Sequence, residues 1–147
     1  MRKAHPKKFF SKEEEQNLVS AIQKAELLTS GEIRVHLARK CKNSVYGEAT
    51  KIFEKLGMTK TAERNGVLFF LSLQEKKFAV IGDIGIHQKI SPHFWDKIRD
   101  ILQENFKKGD FIKGLTEGIH TCGVQLAQHF PRKLDDKNEL SDDISRS

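Results

Sequence analysis

The sequence predicts a three-layer α/β/α sandwich around a small mixed sheet, and three observations carry that expectation. Helical and strand patterns follow in the order helix, strand, helix, strand, strand, helix, helix, which supplies helices for both faces of one sheet. Residues 66–73 are apolar without alternation, the mark of a central strand covered on both sides. A strand, crossover helix and strand run parallel and right-handed. The first two strands are therefore expected to be parallel, and the third, reached through a tight turn, antiparallel to the second.

Each element has its own local signal. Ser11-Lys12-Glu13-Glu14 reads as a capping box, followed by a stripe of Leu18, Ile22, Ala25 and Leu28 that stops at Thr29-Ser30-Gly31. Residues 32–39 alternate, with Ile33, Val35 and Leu37 facing in and Arg34, His36 and Ala38 facing away, as in a half-covered edge strand. Residues 44–56 carry Val45, Ala49, Ile52, Phe53 and Leu56 at helical spacing, and Gly57 suits the C-terminal cap. Gln74-Glu75-Lys76 turns the central strand into residues 77–82 as a hairpin. A loop is expected next, then a helix capped by Ser91 with Pro92 first and Trp95, Ile98, Ile101, Leu102 and Phe106 buried. Asp110 is expected to cap the last helix, where Gly114 and Gly118 permit close packing, and Phe130-Pro131 ends it.

A chain of 147 residues fits one domain with a sizeable core. Its organisation reads as a basic flexible arm over residues 1–10, a domain over 11–131 and a polar, disordered tail over 132–147. Of the +6 net charge, the first 12 residues contribute five cations and no acid, so the folded part is close to neutral. That distribution argues against a specific nucleic-acid interface and leaves the arm as a weak, salt-sensitive binder of anionic surfaces. The longest apolar run, residues 67–73, falls far short of the roughly 20 residues of a membrane helix. The N-terminus lacks a signal-peptide core, and Cys41 and Cys122 have no disulfide or metal spacing. A cytoplasmic location is expected.

The predicted topology gathers Glu32, Glu63, Asn65, Asp83 and His87 at one edge of the sheet. Carboxylate and amide oxygens with loop carbonyls suit a hard cation, so Asp83, Asn65, Glu32 and Glu63 are the candidate ligands for Ca²⁺ or Mg²⁺. Each also has a structural reading: Asp83 bonds loop amides, Asn65 takes a left-handed turn before Gly66, Glu32 ends a helix-to-strand turn, and Glu63 is solvated. Arg64 is a phosphate binder or a partner of Glu63 or Asp83. His36, His87, His93 and His120 lack zinc spacing. Neither a nucleophile elbow nor a phosphate-loop glycine pattern occurs.

Four motifs occur together in order: Ser11-x-x-Glu14-Glu15, Ala25-Glu26-x-x-Thr29-Ser30-Gly31-Glu32-Ile33, Asn65-Gly66-Val67-Leu68 and Phe106-x-x-Gly109-Asp110-Phe111-x-x-Gly114-Leu115. In their spacing, residues 9–130 resemble the TPM domain family, named after a thylakoid-lumen phosphatase, a photosystem repair protein and a receptor modulator. The resemblance implies an α/β/α sandwich, divalent-cation binding at the loop edge in some members, and a phosphatase activity proposed for plant members. This chain looks closest to the short soluble branch. It departs from the family pattern at Arg64, where many members have an acid, and in the turn Gly82-Asp83-Ile84-Gly85-Ile86-His87. The expected function is a cation-binding or protein-interaction module without established catalysis, whose protein partner is unknown. The alternatives are a metal-dependent phosphatase acting on phosphomonoesters and the anionic-surface binder.

Overall fold

Capping chemistry starts the first helix where the sequence places it. In the computed structural model, which describes residues 2–133 and 142–147, helix α1 spans Lys12–Glu26. Ser11 Oγ accepts from the Glu14 N–H at 3.1 Å, and the Glu14 carboxylate accepts from the Ser11 N–H at 3.0 Å. The helix ends sooner than its apolar stripe, so Leu28 is exposed rather than buried.

Strands β1 (Glu32–Ala38) and β2 (Gly66–Ser72) pair in parallel, with Glu32 opposite Gly66. Strand β3 (Lys77–Gly82) runs antiparallel to β2, with Gly82 opposite Val67. Every residue of β2 is buried. Its Val67, Phe69 and Leu71 enter a core shared with α1, α4 (Phe94–Lys107) and α5 (Phe111–His129). Leu68 and Phe70 enter a smaller core with Ala49, Ile52 and Phe53 of α2 (Val45–Lys55) and with Met58. Helices thus cover both faces, which makes the three-layer sandwich.

Several local expectations need correction. The chain after Asp83 is not loop alone but a short helix, α3 (Ile84–Lys89), and α4 begins at Phe94, with Ser91 and Pro92 in the turn before it. Asp110 stands at the cap position of α5 but makes no side-chain capping bond; its carbonyl accepts from the Gly114 N–H instead. Gly114 does permit close packing, because a Cβ there would meet the Phe106 ring at 2.9 Å.

β1 is not an edge strand. Ser145–Arg146 form β4 in parallel beside it, so the sheet order is β3-β2-β1-β4. A strand paired on both sides and covered on both faces buries its polar side chains as well. His36 is 2% exposed, stacks on Phe70 at 5.5 Å, and bonds Ser145 Oγ and Ser147 Oγ at 2.7 and 2.8 Å. The end of the tail is therefore part of the fold, and Ile144 joins the core. The disorder expected for residues 134–141 lies outside the described residues.

The N-terminal segment also differs from a free arm. Phe9 and Phe10 are buried in the main core, and the Arg2 guanidinium lies over the rings of Phe9, Phe10 and Phe111 at 5.5–5.9 Å while pairing with Glu14. Two buried aromatic side chains anchor the segment to the domain, while Lys3, Lys7 and Lys8 stay exposed.

Candidate functional site

The starts of β1 and β2 and the end of β3 meet at one edge, as the parallel and antiparallel registers require. Three connections arrive there: residues 27–31 from α1, residues 61–65 from a 3₁₀ turn (Met58–Lys60), and the Gly82-Asp83 step into α3. Asp83 donates its N–H to the Gly66 carbonyl at 3.0 Å, and the Gly85 N–H bonds the Arg64 carbonyl at 2.9 Å. A Cβ at Gly85 would stand 2.2 Å from the Glu63 carbonyl oxygen, so only glycine allows the two loops to lie this close.

The edge carries two adjoining polar groups. In the first, the Arg64 guanidinium grips Asp83 with both arms, Nε to Oδ2 at 2.7 Å and Nη2 to Oδ1 at 2.9 Å. Asp83 also caps α3 by accepting from the Ile84 N–H at 2.8 Å. The left-handed residue is Arg64, with φ 52°, not Asn65. That turn projects the guanidinium along the surface toward Asp83, half exposed, over a carboxylate that is itself buried.

In the second group, Ser30 Oγ donates to Glu63 Oε2 at 2.6 Å, and Asn65 Nδ2 reaches Ser30 Oγ and Glu63 Oε2 at 3.2 and 3.4 Å. Lys133 Nζ lies 3.7 Å from Glu63 Oε1. Asn65 is 1% exposed, and its Oδ1 has no hydrogen-bond partner among the described residues. An orphaned amide oxygen at this depth costs about 1–3 kcal/mol unless a ligand or water meets it.

Of the four candidate ligands, the structure brings Glu63 and Asn65 together and sets Asp83 beside them in its own ion pair. Glu32 is elsewhere: 3% exposed, it hydrogen-bonds the Glu26 carboxyl. The Asp142 carboxyl bonds Glu26 too, and Glu26 Oε2 accepts from the Ile33 N–H at 2.9 Å. Burial first, and then the Asp142 and Glu32 carboxyls beside it, hold Glu26 well above the ordinary carboxylate range. His87 turns back to the Gly82 carbonyl at 3.1 Å. Among the described residues, no three His, Cys, Asp or Glu side chains are arranged to hold a metal.

Four further residues join these groups: Ser30, Lys133, Glu26 and Asp142. Ser30 and Glu26 lie inside the motif around Gly31 and were legible there. The other two come from beyond Pro131 and have no local signal.

The fold and edge define a class: a small α/β/α domain whose three loops converge on a polar, glycine-spaced rim at the start of the parallel strands. The chain belongs to the TPM domain family, whose model matches residues 4–125. It is similar to the solved BA42 protein from the psychrophilic bacterium Bizionia argentinensis, at 43% identity over 95% of this chain and 97% of that one, with a TM-score of 0.91. The N-terminal domain of a P. gingivalis protein, at 19% identity, covers 82% of this chain and 78% of that one, with a TM-score of 0.64. The N-terminal domain of the cg2496 protein from Corynebacterium glutamicum is 12% identical, covers 92% and 79%, and has a TM-score of 0.61. These last two share the fold alone. No curated protein matches the sequence. No helix among the described residues is long and apolar enough to cross a membrane.

Proposed function

We propose that this TPM domain is a binding module that takes Ca²⁺ or Mg²⁺ at the loop edge and does no chemistry of its own there. The observation that carries the reading is the buried Oδ1 of Asn65, which has no hydrogen-bond partner among the described residues and lies beside Glu63 and Ser30. With the Glu63 carboxylate and the Ser30 hydroxyl beside it, that amide oxygen completes the donor chemistry of a hard cation. Asp83 is a further oxygen donor if Arg64 releases it.

Lys133 and Arg64 are the cations that the metal would replace. Lys133 is the easier of the two to displace, because it is exposed and lies 3.7 Å from Glu63, whereas Arg64 holds the buried Asp83 carboxylate with both arms. With one or two carboxylates in the set, affinity on the order of 10⁻⁴–10⁻³ M is expected. In a calcium and magnesium titration followed by amide NMR, the first shifts should fall near Asn65, Asp83 and Gly85. Glu63→Gln should abolish them, whereas Lys133→Ala should tighten binding roughly two- to fivefold. Uniform small shifts, or no shift at millimolar cation, would end this reading.

The phosphatase alternative asks Asp83 to act as nucleophile or metal ligand. That carboxylate already caps α3 and pairs bidentately with Arg64. Hydrolysis of an aryl phosphate with Mg²⁺, Ca²⁺ or Mn²⁺ present is therefore expected to be equal in the wild type and Asp83→Asn. A metal-dependent rate lost in the variant would restore the enzyme reading.

A further inference from the structure

The opposite end of the sheet, where β2 ends and β3 begins, opens into a groove of about 1330 Å³. Leu71 and Leu73 form part of its floor, and Phe9, Phe78, Phe106 and Phe111 add an aromatic lining. Phe78, Phe106 and Phe111 remain partly exposed, and none of these rings is a chance neighbour: Phe9 with Phe111, and Phe78 with Phe106, pack edge to face at 5.1 and 5.4 Å.

The rim has one sign of charge. Arg2, Lys3, Lys76, Lys77 and Lys107 line the groove, and among the described residues no Asp or Glu does. Arg2 is spent on Glu14, but the four lysines are exposed and form no salt bridge among the described residues. Glu75, adjacent in sequence, bonds Ser72 and the Cys41 N–H, and of the groove lysines it interacts electrostatically with Lys77 without forming a salt bridge. Four ammonium groups around an apolar trough make a surface complementary to an anion with an apolar body.

We propose that this groove docks an acidic peptide segment of a partner protein, with aliphatic or aromatic side chains as its anchors. Its volume exceeds the roughly 300–1,000 Å³ of small-molecule pockets, so the space suits a stretch of polymer. An acyl chain laid in a trough open along one side would keep that side in water, whereas a peptide brings its own polar outer face. Single-stranded nucleic acid stacks its bases on open ring faces. Here the rings meet one another edge to face, and Arg2 already covers Phe9 and Phe111. The groove lies at the far end of the sheet from Asn65 and does not depend on a cation there.

The test uses the full chain and a fluorescein-labelled peptide of about twelve residues, with Asp and Glu flanking Phe and Leu anchors, read by anisotropy. The expected result is saturable binding that weakens at least about tenfold in Lys77→Glu/Lys107→Glu. The melting temperature of that variant should be unchanged, since both side chains are exposed. A peptide with the same acids but Ser at the anchors should bind at least about tenfold more weakly, and amide shifts should map to residues 71–78 and 103–111. Equal binding of the anchorless peptide would overturn the proposal. So would lysine-dependent binding of phosphatidylserine vesicles or of an oligothymidine by a protein that ignores the peptide.

Discussion

Truncating Phe70 to alanine is expected to destabilise the domain by about 3–5 kcal/mol, the range for removing a large aromatic side chain from a well-packed core. Phe70 is fully buried, on the face of β2 that looks at α2, and its ring stacks on His36, its register partner on β1, at an interplanar angle of 6°. The smaller core has few large residues to refill the void, so the cavity term adds to the transfer term. Urea unfolding of the two proteins measures the effect. A loss below about 1 kcal/mol would show that α2 does not seal this face.

The second large effect is expected from His36. Burial, with Arg34 and Lys55 adding positive charge nearby, lowers its imidazole from the ordinary value of 6.5 to about 4. The unfolded chain therefore takes up a proton near pH 6.5 while the native protein resists until about pH 4. His36 thus withdraws stability as pH falls through that window, by about 3 kcal/mol in all. Glu26 acts with the opposite sign: its raised value means that its contribution is complete below the ordinary carboxylate range and is lost as pH rises. The two oppose each other, and the total stability of the wild type need not show the slope. The informative quantity is the difference between wild type and His36→Gln in urea unfolding at pH 7 and pH 4. That difference should move by about 3 kcal/mol in favour of the variant at the acid end. A constant difference would mean that His36 is solvated and that β4 does not close over it.

Particular elements show how far the linear pattern reaches. The capping box at Ser11, the left-handed Gly57 after α2 and the unbroken apolar run of β2 are local signals, and each sits where the pattern places it. The clean alternation of β1 predicts a half-covered edge, yet a two-residue strand from residues 145–146 pairs with it and buries His36. Ser145–Arg146 is too short to carry periodicity of its own. Helix α3 is equally quiet: six residues with two glycine-flanked steps read as loop, and the capping bond of Asp83 and the packing of Gly85 on the Glu63-Arg64 backbone make it a helix.

The candidate rim divides along the same line. That Glu63, Asn65 and Asp83 share an edge follows from the strand order and the right-handed crossover, both readable from apolar periodicity and turn positions alone. Which atoms meet there does not. The sequence leaves Arg64 open between Glu63 and Asp83 and the fold gives it Asp83, Glu32 leaves the rim for Glu26, and Lys133 arrives from beyond the last helix to reach Glu63. By itself the sequence determined the layers, the central strand and the edge where the loops gather, because burial and backbone hydrogen bonding impose periods that survive in one dimension. Only the tertiary structure decided the pairing of charges and the closure of β1. Those depend on contacts between residues more than 100 positions apart, whose distances and desolvation no local pattern records.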